Sequence, residues 1–167
     1  IRYYAAYTTN VQINANDIAR FFSKKYPTST LQYVTLKDVP STGSLYYNYY
    51  GVSKYGASKL KLTSSNCGNY NLYFSPSSTS QYALTELTYL PSGTNYCAQI
   101  PFTAYGTKSG QKAEGTLAIK VKQTMNFVDV HTYDYFYDSV QWAVNLDITK
   151  GTSATTFSPK QGCTRAQ

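Results

Sequence analysis

A catalytic pocket needs groups that titrate, coordinate a metal or attack a substrate, and this sequence is short of them. His131 is the only histidine, so a multi-histidine metal site is excluded and a histidine-based triad would have to use it. It lies among aromatic residues and reads as a surface or loop-packing side chain. Glu86 and Glu114 are the only glutamates. A glycosidase needs two carboxylates flanking one bond, but each Glu lies in an ordinary β pattern and reads as solvent-facing. Asp134 and Asp138, four residues apart, read as a solvated helix face and first-turn stabilisers rather than an acid pair. There is no phosphate-binding loop, dinucleotide fingerprint, Cys-x-x-Cys or EF-hand loop. The pattern points away from an enzyme, and no cofactor or metal is expected.

Four further groups of residues could carry chemistry. Cys67 and Cys97 could bridge two strands of a secreted protein and leave Cys163 unpaired. Three reduced thiols are the equal alternative, and the sequence leaves both open. Thr164 with Gln167 three residues on forms a capping box, the start of a helix. Arg165 falls in the first positions of that helix, where a cation is disfavoured by about 0.3–1 kcal/mol. A cation placed against the dipole hints at another job. The competing reading is a structural pairing of Arg165 with Asp129 or Asp138. Trp142 reads as a core residue of a helix face, with sugar stacking as the second reading. The Tyr46, Tyr47, Tyr49 and Tyr50 cluster alternates in face, so half is core and half is a possible glycan- or protein-binding surface.

The elements that position these residues follow from hydrophobic period. Near the C-terminal end, Phe136, Val140, Ala143 and Val144 form one stripe of an amphipathic helix over Tyr133 to Asn145. Thr132 is expected to cap it, with Asp134 in its first turn. Earlier, Arg2 to Thr8 and Val11 to Asn14 read as strands. Asn16 to Lys25 reads as a short helix capped by Asn16 or Asp17, with Ile18, Phe21 and Phe22 on one face and Pro27 blocking continuation. Then the pattern is all β. Strands are predicted over Leu31 to Leu36, Ser44 to Tyr50, Ser58 to Thr63, Tyr70 to Ser75 and Thr85 to Leu90. Cys97 to Tyr105 places Ala98, Ile100, Phe102 and Ala104 on one face, and its Pro101 predicts an edge strand or a bulge. Gly115 to Val121 turns Leu117, Ile119 and Val121 inward. Strands at this spacing predict a mainly β fold: an Ig-like antiparallel β-sandwich with one short helix. The expected organisation is a sandwich over 1–122, a linker over 123–126 and a small helical unit over 127–167.

Composition agrees with an extracellular β-rich protein. Among 167 residues there are 19 Tyr but only 14% charged residues, and the hydrophobic share of 42% is enough for a core. No apolar run approaches the ~18 residues of a membrane span. The sequence reads as a fragment of a longer protein, so the lack of a signal peptide says nothing against secretion. The net charge is +7, with +8 up to Lys122 and −1 beyond it. A basic first part suits an anionic surface such as a wall polymer, or simply keeps a Tyr-rich sandwich soluble. Nucleic acid is not an expected partner, because only Lys24 and Lys25 are adjacent and no recognition signature is present.

The ordered set Phe127-x-Asp129-Val130, the aromatic-rich helix with Ala143-Val144, Ile148-Thr149-x-Gly151, Phe157-x-Pro159 and Thr164-Arg165-Ala166-Gln167 resembles the S-layer homology (SLH) domain. The resemblance covers about a quarter of the chain. Gln167 stands where the family ends its motif with an acid, and Leu146-Asp147 replaces the usual glycine. The resemblance implies a small α-helical unit, here partial, that anchors a bacterial surface protein non-covalently to a secondary cell-wall polysaccharide. It further implies that Arg165, with Thr164, Gln167 and Asp129, holds a pyruvylated polymer, and that further SLH units of the same protein complete the grooves. Localisation would be extracellular, at the cell wall or S-layer. More loosely, the pieces around Tyr46, Tyr89 and Phe102 are similar to β-modules that precede such domains. The sandwich would then be a spacer or display module. The alternative is a carbohydrate-binding or adhesive module that the SLH unit tethers, and a third class is a wall hydrolase whose catalytic domain lies elsewhere.

Overall fold

In the computed structural model, which describes residues 1–167 apart from 7–8, 94–95, 123–124, 146–147 and 163–167, alternating apolar residues build a mainly β structure. The chain divides into two units, Ile1–Lys122 and Gln123–Gln167. The first runs β1 (Arg2–Ala6), β2 (Val11–Gln12), α1 (Ala15–Lys25), β3 (Leu31–Leu36), β4 (Ser44–Tyr47), β5 (Leu60–Leu62), β6 (Leu72–Tyr73), β7 (Tyr82–Ala83), β8 (Leu87–Leu90), β9 (Tyr96–Gly106) and β10 (Lys112–Lys122). The second contributes α2 (Tyr137–Asn145).

The strands form two sheets, one of six in the order β1-β10-β9-β3-β6-β7 and one of four in the order β2-β8-β4-β5. Antiparallel pairing dominates, but β1–β10 and β6–β7 run parallel. β9 and β10 are the longest strands because their alternation is the cleanest. Ala98, Ile100, Phe102 and Ala104 face Leu117, Ile119 and Val121 in one continuous buried layer. The four-stranded sheet adds Leu45, Tyr47, Leu62, Leu87 and Tyr89 to the same core. Buried Tyr47 stays satisfied: its hydroxyl donates to the Tyr55 carbonyl (2.6 Å) and accepts from the Ala83 amide (3.1 Å).

Helix α1 lies on the inner face of the larger sheet, with Ile18 and Phe22 fully buried and Phe21 edge-on to Phe102 at 5.5 Å. Its cap is Asn14, not Asn16 or Asp17: the Asn14 side chain accepts from the Asn16 amide at 3.0 Å. Asp17 instead accepts from the Tyr3 hydroxyl (3.0 Å), which ties the helix to β1. Burial of Tyr3, and secondarily that bond to Asp17, pushes its hydroxyl pKa up to about 12.

Pro101 does not mark an edge. β9 lies between β10 and β3. The Lys37 amide donates to the Pro101 carbonyl (2.9 Å) one residue past the end of β3. In an antiparallel strand the N–H and C=O of one residue point the same way, so the missing donor faces a place where the ladder has already stopped. β3 keeps no single phase. Leu31, Val34 and Leu36 are the buried residues, because the register shifts between Leu31 and Tyr33 and inserts Gln32 as an extra residue. Several strands are shorter than predicted. β4 stops at Tyr47 because buried Asn48 turns to φ +46°. Glu86 lies in a 3-10 turn, Leu84–Glu86, rather than on a strand.

Cys67 and Cys97 are free thiols. Cys97 sits on the outer face of β9, pairing with Lys120, and is exposed. Cys67 is buried in the 3-10 turn Cys67–Asn69, beside β3. They face opposite sides of the sheet, which a disulfide cannot span. Cys163 lies outside the described residues.

Candidate functional site

Within the second unit, Asp129 holds the geometry together. Its Oδ1 accepts from the Phe157 amide (2.9 Å) and its Oδ2 from the Ser158 amide (2.7 Å). Those bonds, Phe157's foremost, hold its carboxyl below the usual carboxylate range. Beside it the Val128 amide donates to the Thr155 carbonyl (2.9 Å), and the Phe127 and Phe157 rings lie 5.7 Å apart. Gly151 has φ +78°, and a Cβ there would meet the Phe127 ring at 2.6 Å. Glycine is therefore required twice over, by conformation and by space. The loop that follows the helix is folded back onto the opening Phe127-x-Asp129 segment.

α2 begins at Tyr137, four residues later than the periodicity predicts. Asp134 explains the difference. Its side chain accepts from the His131 amide (2.7 Å), while its own amide donates to the His131 carbonyl (2.9 Å). Such a local side-chain bond competes with helical pairing and holds 131–134 as a turn, so the cap expected of Thr132 at a helix starting from Tyr133 does not form. His131 is exposed and stacks on Tyr133 at 5.0 Å. Of the expected stripe, Val140 is buried and Phe136, Ala143 and Val144 are partly so. Trp142 is not in the core: it is 59% exposed, because it falls on the helix face opposite Val140. Thr164, Arg165 and Gln167 lie outside the described residues, as do Leu146 and Asp147.

Residues 126–167 match the family model for the S-layer homology domain. The chain carries an S-layer homology domain. No curated protein and no solved structure matches the chain. S-layer homology domains are non-catalytic anchoring domains that associate with bacterial cell-wall polysaccharide, and this one places the protein at the cell surface or wall. No helix among the described residues is long and apolar enough to cross a membrane. The Asp129 clamp, the Gly151 turn and the Phe127–Phe157 contact are the internal frame of the S-layer homology unit. Its exposed aromatic residues, Tyr133 (80%), Tyr135 (97%) and Trp142, are left to face outward.

The first unit presents two tyrosine surfaces. In the cluster read from the sequence, Tyr47 is core, Tyr46 and Tyr49 are partly exposed, and Tyr50 is 65% exposed. The Lys59 ammonium lies 4.0 Å from the Tyr49 ring centre and 5.3 Å from that of Tyr46. The second surface was not legible as a group. Tyr33 pairs with Tyr73 on one side and Tyr105 on the other, and the ring centres are 5.5 and 4.7 Å apart. The three lie far apart in the chain. Only the strand register brings them together on the outer face of the six-stranded sheet. Glu114, also on that face, is exposed and pairs with Lys37 at 2.8 Å, which holds its carboxyl below the usual range.

Proposed function

We propose that this protein is a non-catalytic surface component whose S-layer homology unit tethers it to a secondary cell-wall polysaccharide. The match of residues 126–167 to that family is the observation that carries the reading. Arg165 is the residue we assign to the polymer's carboxylate, together with Thr164 and Gln167 of the same sequence motif. A ketal-linked pyruvate on the polymer would supply that carboxylate. Asp129 supports the site through the loop amides it binds. Further units of the same kind complete the groove, and the first unit, an Ig-like module by its strand spacing, serves as spacer or display module at the wall or S-layer.

Sedimentation with purified cell walls tests this. The chain and a version extended through three S-layer homology units are compared, each with and without Arg165→Ala, before and after chemical removal of the wall polymer. The extended protein is expected to pellet only with both Arg165 and the polymer present. Pelleting that survives loss of either one sinks the anchor assignment.

A second reading, a carbohydrate-binding first unit, is favoured by the exposed Tyr50 beside the Lys59–Tyr49–Tyr46 group. Tyr50→Ala would then abolish pelleting while Arg165→Ala would not.

A further inference from the structure

We propose that the cleft beside Tyr105, at the β9–β10 hairpin, binds an acidic oligosaccharide. The proposal shares with the second reading only the idea that the first unit takes a glycan. It places the site on different residues.

Tyr33 and Tyr105 line a cleft of about 540 Å³ together with the hairpin residues that follow Tyr105. That volume is within the range of ligand clefts. An aromatic wall suits the apolar C–H face of a pyranose ring. The rest of the lining is amide, hydroxyl and ammonium: Gln32, Thr107, Ser109, Gln111, and the two cations Lys108 and Lys112. No carboxylate lines it. A neutral sugar would need no cation, and a nucleobase or apolar ligand would not need so many hydroxyl-matching groups. The combination fits a sugar carrying a carboxylate or similar acid.

A neighbouring cleft of about 310 Å³, with Tyr73 and Phe74 as its aromatic residues and Ser75, Ser77 and Gln81 among its polar groups, shares Gln32 and Thr107 with the first. The two adjoin through those residues and form one track. Gln32 stands between them because it is the extra residue of the β3 bulge, and bulges re-aim side chains beside functional sites. Cross-strand pairing alone accounts for three tyrosines in a row. It does not account for the bulge at the centre of the track, or for an acid-free lining with two lysines.

Titration calorimetry on the 167-residue chain, with short oligomers of galacturonic acid against neutral xylose oligomers of equal length, tests it. Binding is expected for the acidic oligomer and should weaken as salt rises. Tyr105→Ala should cost roughly tenfold in affinity. Because Tyr105 stacks on Tyr33, Lys108→Ser in the exposed hairpin is the second variant. It should bring the acidic oligomer toward the neutral one without touching the core. Equal affinity for the two oligomers, no binding at millimolar concentration, or indifference to both variants overturns the proposal. Loss on Arg165→Ala with Tyr105→Ala unaffected also overturns it, while leaving the anchor assignment standing. Loss on Tyr50→Ala alone would move the site to the other tyrosine surface.

Discussion

Asp129 binds two backbone amides nearly thirty residues downstream with one carboxylate, so its charge bears directly on the fold of the second unit. Its pKa is depressed in the folded chain. The stability it contributes is therefore fully present above the unfolded aspartate value of about 3.9 and is lost as pH falls through the lower folded value. Acidification below the usual aspartate range should shift the amide resonances of Phe157 and Ser158 together. In Asp129→Asn those resonances should already be displaced at neutral pH and should no longer titrate. Amide signals that hold their positions through that range in the native chain would deny Asp129 this role. The same residue shows a limit of sequence reading. Its place in the family motif points to ligand binding, while its contacts add a framing job that no spacing rule reveals.

At the level of elements, α1 and the hairpin of β9 and β10 fit together through glycines. A Cβ at Gly115 would meet the Phe102 ring at 2.6 Å and the Phe21 ring at 2.8 Å, and both rings belong to the seam between helix and sheet. Gly115→Ala should destabilise the first unit by about 1–3 kcal/mol through overpacking, read as a lower urea midpoint at unchanged slope. Phe21→Leu in the same chain should recover part of the loss. A midpoint unmoved by Gly115→Ala would mean the seam is loose. Long, alternating elements were the legible ones: Ala98, Ile100, Phe102 and Ala104 of β9 and Leu117, Ile119 and Val121 of β10 follow from period, whereas the extension of β10 to buried Ala113 and the burial of Thr103 do not. α1, whose apolar stripe is unbroken, also follows from period. Where a local polar side chain competes with the ladder, the reading slipped. Asn48 ends β4 early, Asp134 delays α2, and Asn14 takes the cap from its neighbours. Pro101 misled because a proline is forbidden only where a ladder partner waits for its hydrogen. The Tyr33–Tyr73–Tyr105 row is a property of register, and register between distant strands is not written in any one stretch.

For the molecule as a whole, the described residues of the continuous apolar core belong to the first unit, and the second unit buries Val130 and Val140. Trp142, the single tryptophan, belongs to the second unit. Leu117→Ala, at a fully buried position of β10, should cost the first unit about 2–5 kcal/mol. The far-UV unfolding transition should fall accordingly while the Trp142 fluorescence transition keeps its midpoint. A common shift of both would show the units to be energetically coupled.

The parallel pairing of β1 with β10 has a consequence for mechanical load. Arg2 lies opposite Ala118 and Ala6 opposite Lys122, so the two strands point the same way, side by side. Tension between the upstream end of β1 and the downstream end of β10 drags one strand along the other. All the hydrogen bonds of that ladder then bear force at once, instead of opening one after another as in a peeled hairpin. A chain held at a wall by its downstream unit and pulled from upstream is in this way locked by shear.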